Sequence, residues 1–342
     1  MSGAPYPWQD AQWARLVGLW RRDRLPHAVL LHGPPGLGLD DFARRFANAL
    51  VCPAARDDGS PCGQCPACRQ FAEGVYPDYH EVTPPADRQG IGVDQIRALI
   101  DFLALTRSHG RPRPVLIAPA EAMNVNAANS LLKTLEEPPG DAHLLLVCAR
   151  LDRLPATILS RCQRVDFPRP PRQTALDWLA GQGLAGESAA GLLALAHGAP
   201  CAALRLAEGE VAARHAAFLD AVLAVLAGQG SAGTLRAALA ELDTAQLLDW
   251  SEALLRDLLR LRSGLDGPFE TPVAAGRLRK LAAPLDLMRL FEFQDQLLAS
   301  RATLEHPLNA DLQRDVILLG WEALPCRNHR NPSHPRRATP AP

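Results

Sequence analysis

Four cysteines, Cys52, Cys62, Cys65 and Cys68, follow the spacing C-x9-C-x2-C-x2-C. Four thiolates satisfy a tetrahedral Zn²⁺, and short CxxC turns let backbone N–H groups support the sulfurs. Gly63 and Pro66 suit such turns. An iron–sulfur cluster also uses closely spaced cysteines, but its usual run places the fourth downstream, before a proline. Structural zinc is therefore favoured over a cluster or free thiols, and four protein ligands leave no position for a catalytic water. Cys148, Cys162 and Cys201 stand apart, as buried apolar cysteines do.

The second chemical feature is a glycine-rich turn, Gly33-Pro34-Pro35-Gly36-Leu37-Gly38-Leu39-Asp40. A working phosphate loop, GxxxxGK[ST], follows a strand and opens a helix. Its lysine neutralises the outer phosphates and its hydroxyl binds Mg²⁺. Here Leu39 takes the lysine position and Asp40 the hydroxyl position, and an Asp there faces a triphosphate with like charge. The turn by itself reads equally as an ordinary Gly/Pro turn. A metal-holding strand should also end in an acidic residue. The candidate strand at 113–118 ends in Ala118, with Glu121 the nearest acid and already past its end. Both metal-coordinating positions are absent, which predicts a remnant of the fold and not an ATPase.

Lys133, Glu136 and Glu137 share a helix face at i, i+3, i+4. They suit a solvated ion-pair patch, or an interface beside a neighbour's nucleotide. Trp13 and Trp20 lie seven apart with Leu16 and Val17 between them, which predicts a helix core stripe in preference to base stacking. The ten histidines show no paired metal spacing.

These residues need elements to hold them. Apolar runs at 27–32, 113–118 and 144–148 predict strands, the first leading into the glycine turn. Helices are expected over 40–50, with Phe42, Phe46 and Leu50 on one face, and over 126–137, ending at Pro138-Pro139. Strands alternating with helices predict a parallel α/β sheet. Pro168-Arg169-Pro170-Pro171 breaks the pattern, and Ala- and Leu-rich helical segments follow to Trp321. The stretch 325–342, rich in Pro, Arg and His, is expected to be disordered, with Arg327, Arg330, Arg336 and Arg337 solvated.

With 342 residues, two or three domains are expected. No apolar run reaches the ~20 residues of a membrane span, and the N-terminus lacks the basic-then-apolar pattern of a secretory signal. A cytoplasmic protein with no membrane partner is expected. The formal net charge of -1 argues against a protein that grips nucleic-acid phosphates unaided, including a zinc-dependent DNA binder.

Several segments together resemble the clamp-loader family of AAA+ proteins, the kind that serves bacterial DNA polymerase III. They are His32-Gly33-Pro34-Pro35-Gly36, the cysteine module, the run 127–139 containing NSLLKTLEEPP, and Thr157-Ile158-Leu159-Ser160-Arg161-Cys162. The resemblance spans 30–164, continues weakly through 197–206, and reaches the C-terminal part only in length and character. It implies an AAA+ parallel-sheet domain at 1–167 with a zinc module inserted at 52–68, a helical lid at 168–209, and a helical oligomerisation domain at 210–324. It further implies a place in DNA replication, as a component of a DNA-directed DNA polymerase holoenzyme. The partners would be other loader subunits of the gamma/tau and delta kinds in a five-membered ring, the sliding clamp, and primed DNA within the complex.

In such rings each ATP lies between neighbours and receives an arginine finger from the SRC motif of the adjacent subunit. Arg161 matches that arginine. Where an active lid carries a phosphate-sensing arginine in a pattern like GSPGRAL, this chain has Ala202, with Arg205 three residues on, expected as a solvated helix residue. Cys148-Ala149-Arg150 lacks the usual Thr/Asn sensor. The resemblance thus implies a catalytically inactive subunit that supplies Arg161 in trans and binds no ATP through Gly33, Gly36, Gly38, Leu39 and Asp40. The alternative is an ATP-hydrolysing loader subunit with an unusual phosphate loop.

Overall fold

A computed structural model of the chain describes residues 5–325 apart from 87, 89, 106, 107, 109, 210, 266–268, 270, 272–274 and 304–309. The C-terminal stretch expected to be disordered lies, beyond Pro325, outside the described residues. The chain divides into two compact units, one of residues 1–185 and 198–205, the other of residues 186–197 and 206–342. The segment expected as a separate lid is shared between them.

The first unit contains the strands β1 (Ala28–His32), β2 (His80–Val82), β3 (Arg113–Ile117), β4 (Ala142–Cys148) and β5 (Gln163–Asp166). They form one sheet in the order β2-β3-β4-β1-β5, and every pairing is parallel. Its helices are α1 (Asp10–Trp20), α2 (Leu39–Val51), α3 (Pro66–Ala72), α4 (Val93–Ala104), α5 (Val125–Glu136), α6 (Ala156–Leu159) and α7 (Arg172–Gly181). β3 is buried along its whole length, and β1 and β4 nearly so. A parallel sheet covered on both faces needs apolar side chains in both directions, which is why these strands read as continuous apolar runs.

α5 turns the NSLLKTLEEPP run into an anchored lever. Asn124 caps it, its side chain accepting from the Ala127 N–H at 2.8 Å. Ala127, Ala128, Leu131 and Leu135 are buried in the core shared with β3 and β4, while Lys133, Glu136 and Glu137 stay exposed. The expected ion-pair patch on this face is not what forms: the partner of Glu136 is Arg161, 25 residues away in sequence. A second polar clamp is buried. Arg113 pairs with Asp78 at 3.3 Å and donates to the carbonyls of Phe102, Leu103 and Leu105, closing the C-terminal end of α4.

α8 (Gly186–Leu195) belongs to the second unit, and α9 (Pro200–Glu208) begins in the first unit and ends in the second. The second unit continues with α10 (Val211–Leu226), α11 (Ala232–Ala238), α12 (Thr244–Arg262), α13 (Ala275–Ala282), α14 (Leu287–Thr303) and α15 (Ala310–Ala323). No strand occurs after β5 among the described residues, as the composition change at Phe167 predicts. Its core centres on Phe218, Trp250, Phe293 and Trp321. The indole of Trp321 is fully buried and donates to Ser251 Oγ at 3.0 Å, so its one polar atom is satisfied. No single helix among the described residues is long and apolar enough to cross a membrane.

Candidate functional site: an altered phosphate loop, a part-exposed arginine and a four-cysteine cluster

The glycine turn lies where the sequence places it, between β1 and α2, with Gly38 at the N-cap of α2. It borders a cleft of about 780 Å³ at the carboxyl ends of the strands. Gly33 follows β1, Ala118 follows β3 and Ala149 follows β4 there, which is where open α/β sheets bind their ligands.

The chain's own groups pack closely against the loop. Leu39, in the lysine position, is only 6% exposed and belongs to the core. Gly38 has φ +74°, and a Cβ added there would stand 2.2 Å from the ring of Tyr6. Gly36 has φ +83°, and its added Cβ would stand 2.5 Å from the Ala202 methyl. The Cys201 N–H donates to the Gly36 carbonyl at 3.1 Å. The Trp8 indole donates to the Leu37 carbonyl at 2.9 Å, and the buried Gln9 amide donates to the Leu37 and Gly38 carbonyls at 2.8 and 3.1 Å. Trp8 stacks on Tyr6, and Trp178 of α7 meets both edge-on. The Tyr6 hydroxyl donates to Asp41 at 2.7 Å, and burial together with that bond raises its pKa.

The charge lining the cleft is mixed. Partial desolvation raises the Asp40 carboxyl above the usual range; Arg44 and Arg205 oppose this, while Asp41 and Glu81 add to it. Arg44 is already committed to Glu81, with Nη2 to Oε1 at 2.7 Å and Nε to both oxygens, and the Tyr79 hydroxyl also donates to Glu81. Arg205 is exposed yet lines the cleft, a placement its expected role as a solvated helix residue did not include. Glu121 lines it too, one oxygen accepting from the N–H groups of Ala149 and Arg150 at 2.9 and 3.3 Å.

Arg161 sits just past the C-terminus of α6. Its Nε and Nη2 donate to Glu136 Oε1 at 2.8 and 2.5 Å, and its Nη1 to the Thr157 carbonyl and Ser160 Oγ at 3.0 and 3.3 Å. A third of its side chain is exposed.

The cysteine expectation is met in geometry. The sulfurs of Cys52, Cys62, Cys65 and Cys68 all lie within 4.8 Å of one another, with Cys52–Cys65 at 3.9 Å and Cys62–Cys68 at 4.0 Å. Tetrahedral bonds of about 2.3 Å to zinc place sulfurs about 3.8 Å apart, so the cluster can hold such a metal. Backbone N–H groups of Cys62, Gln64, Cys65 and Cys68 point at the sulfurs at 3.3–3.5 Å. Those of Gln64 and Cys65 pull the Cys62 thiol down to about 6. Burial pushes the isolated thiols of Cys162 and Cys201 up to about 11, as for inert apolar cysteines.

A glycine turn between β1 and α2 and a cleft across the carboxyl ends of the strands define an open parallel α/β protein of the phosphate-loop kind. Residues 8–171 match the family described as DNA polymerase III, delta subunit, and residues 210–323 match its C-terminal counterpart. DNA polymerase III subunit delta' of Pseudomonas aeruginosa is 37% identical over 329 residues, covering 94% of this chain and 98% of that one. The Escherichia coli K12 subunit delta' is 32% identical over 260 residues, 76% and 77% of the two chains. The Bacillus subtilis subunit tau is 36% identical over 146 residues, 43% of this chain and 25% of that one. A solved DNA polymerase III gamma subunit-related protein of Thermotoga maritima is 18% identical, with TM-score 0.44 over 92% of this chain and 98% of that one. The chain belongs to the delta' family of DNA polymerase III clamp-loader subunits.

Proposed function

We propose that this chain acts as a non-ATP-hydrolysing delta' subunit. It helps load the sliding clamp onto primed DNA and supplies Arg161 in trans to the ATP site of a neighbouring subunit. The observation that carries this reading is Leu39, 6% exposed, standing where a phosphate loop has its lysine, with Tyr6 packed against Gly38 and Ala202 against Gly36. A triphosphate entering there would meet Leu39 and Asp40 where a phosphate loop has its lysine and its metal-binding hydroxyl, and the carboxylates of Asp40 and Asp41 would repel it, with the exposed Arg205 opposing them in part. Arg44 would have to leave Glu81 to help. The same features weigh against an ATP-hydrolysing subunit with an unusual loop.

Arg161 has the opposite character: a guanidinium fork, partly exposed, just past the end of α6. A guanidinium brought to a γ-phosphate stabilises transition-state charge, and fingers supplied in trans are worth ~10³–10⁵ in rate. The partners in this reading are gamma/tau and delta subunits in a five-membered ring, in the cytoplasm. In this reading 1–167 serves as the sheet domain, 168–209 as the lid and 210–324 as the oligomerisation domain, the lid segment belonging in part to each compact unit. Zinc on the four cysteines is structural, since four protein ligands leave no open position. Arg161→Ala in the assembled loader is expected to lower DNA-stimulated ATP turnover at the adjoining site at least about tenfold. Unchanged turnover would remove the finger role.

A further inference from the structure

The contact between Glu136 and Arg161 joins two segments that the finger role leaves unconnected. Glu136 is the last residue of α5, where a carboxylate faces the negative end of the helix dipole and is disfavoured. The pair is also half in solvent, Glu136 50% and Arg161 33% exposed, so it adds little to stability. What it supplies is geometry. Glu136 Oε1 takes both Nε and Nη2 of Arg161, while Thr157 and Ser160 take Nη1. One N–H of Nη2 stays free of these contacts and available to an acceptor outside the chain. α5 is itself fixed, with Leu131 and Leu135 fully in the core, Asn124 capping its start and Pro138-Pro139 stopping its end.

We propose that Glu136 is a positioning residue for Arg161, holding the guanidinium in the orientation in which it meets a neighbouring subunit's nucleotide; this rests on the finger reading above. A free arginine side chain samples many rotamers, and ordering it at the moment of reaction raises the barrier. A carboxylate on a rigid helix sets that order before the phosphate arrives, as a fixed donor at a developing charge requires. The pair is weak enough to let the guanidinium lean toward a triphosphate without losing its bearing.

The test uses the complete loader, reconstituted with this chain as wild type, Glu136→Ala, Glu136→Gln, Arg161→Ala and the Glu136→Ala/Arg161→Ala double variant. The thermal midpoint of each chain and its co-elution with the other subunits are recorded alongside. Glu136→Ala is expected to lower kcat of the DNA-stimulated ATPase by about tenfold, with KM for ATP within about twofold of wild type. Glu136→Gln, which keeps one acceptor oxygen, should recover part of that loss. The double variant should be no slower than Arg161→Ala alone, because Glu136 acts only through the arginine. If Arg161→Ala slows the loader but Glu136→Ala leaves kcat unchanged or raises it, positioning is wrong and the finger survives. A further loss in the double variant means that Glu136 acts independently of Arg161, and it overturns the inference too. If Arg161→Ala itself changes nothing, the finger reading falls and takes the positioning role with it.

Discussion

Gly38 carries two independent constraints: a backbone in the left-handed region at φ +74°, and the Tyr6 ring 2.2 Å from any added Cβ. An L side chain in the left-handed region costs about 1–2 kcal/mol, and displacing a packed ring adds to it. Gly38→Ala is therefore expected to destabilise the first unit by about 2–4 kcal/mol, read by denaturant unfolding. A change below about 0.5 kcal/mol would mean that the aromatic lid over the loop yields freely. The glycines themselves are legible in the sequence, as are Leu39 and Asp40 in the two diagnostic positions. The closure is not. Tyr6, Trp8 and Gln9 reach the loop and the start of α2 from about 30 residues upstream, Trp178 packs on Tyr6 and Trp8 from about 170 residues further along the chain, and no local period announces such contacts. Glu136 illustrates the same limit. Helix spacing offers Lys133 as a neighbour, whereas the fold delivers Arg161.

Among the elements, the apolar-run criterion marks β1, β3 and β4 and passes over β2 and β5. β2 has three residues, and β5 is an edge strand of polar character with only Val165 buried. Both lack the doubly covered position that makes a strand apolar along its length. The cysteine module is the opposite case, since its ligand spacing is local and fixes its geometry directly. Its inter-cysteine loop is tied to α1: the Trp13 indole donates to the Asp58 carbonyl at 2.9 Å, and Arg21 donates to the carbonyls of Arg56 and Asp57. Val17 packs where a Cβ on Gly59 would lie, at 2.4 Å. Stripping metal with a strong chelator, or Cys65→Ser, should therefore release one equivalent of zinc and open 52–68 to proteolysis. It should also lower the thermal midpoint while leaving the parallel sheet folded. Protein prepared without chelator that contains no stoichiometric zinc would refute the structural-zinc assignment.

For the whole molecule, the switch from alternating strands and helices to helices alone at Phe167 is visible in composition. The division of α9 between the two units is not visible, because helical periodicity continues across it. The second unit contains a buried histidine that should set its acid stability. His215 lies on Phe218 and edge-on to Trp250 at 4.9 Å, and desolvation depresses its pKa to about 4. Above its unfolded value of about 6.5 the ring is neutral in both states and contributes no pH dependence. As pH falls from about 6.5 toward 4, only the unfolded chain takes up the proton. Stability of the second unit should then drop by on the order of 3 kcal/mol. His215→Phe should flatten this component of the acid limb, compared with wild type through the tryptophan fluorescence of unfolding. Parallel acid limbs in the two proteins would count against it.

A chain of this family whose phosphate loop is intact in outline either still takes a nucleotide or does not. Equilibrium binding of labelled ATP with Mg²⁺ to the isolated chain at neutral pH measures this without any partner. With Leu39 in the lysine position, Tyr6 and Ala202 packed against Gly38 and Gly36, and Asp40 at the loop's end, no saturable binding is predicted up to millimolar ATP. Saturable binding in the micromolar range would contradict it.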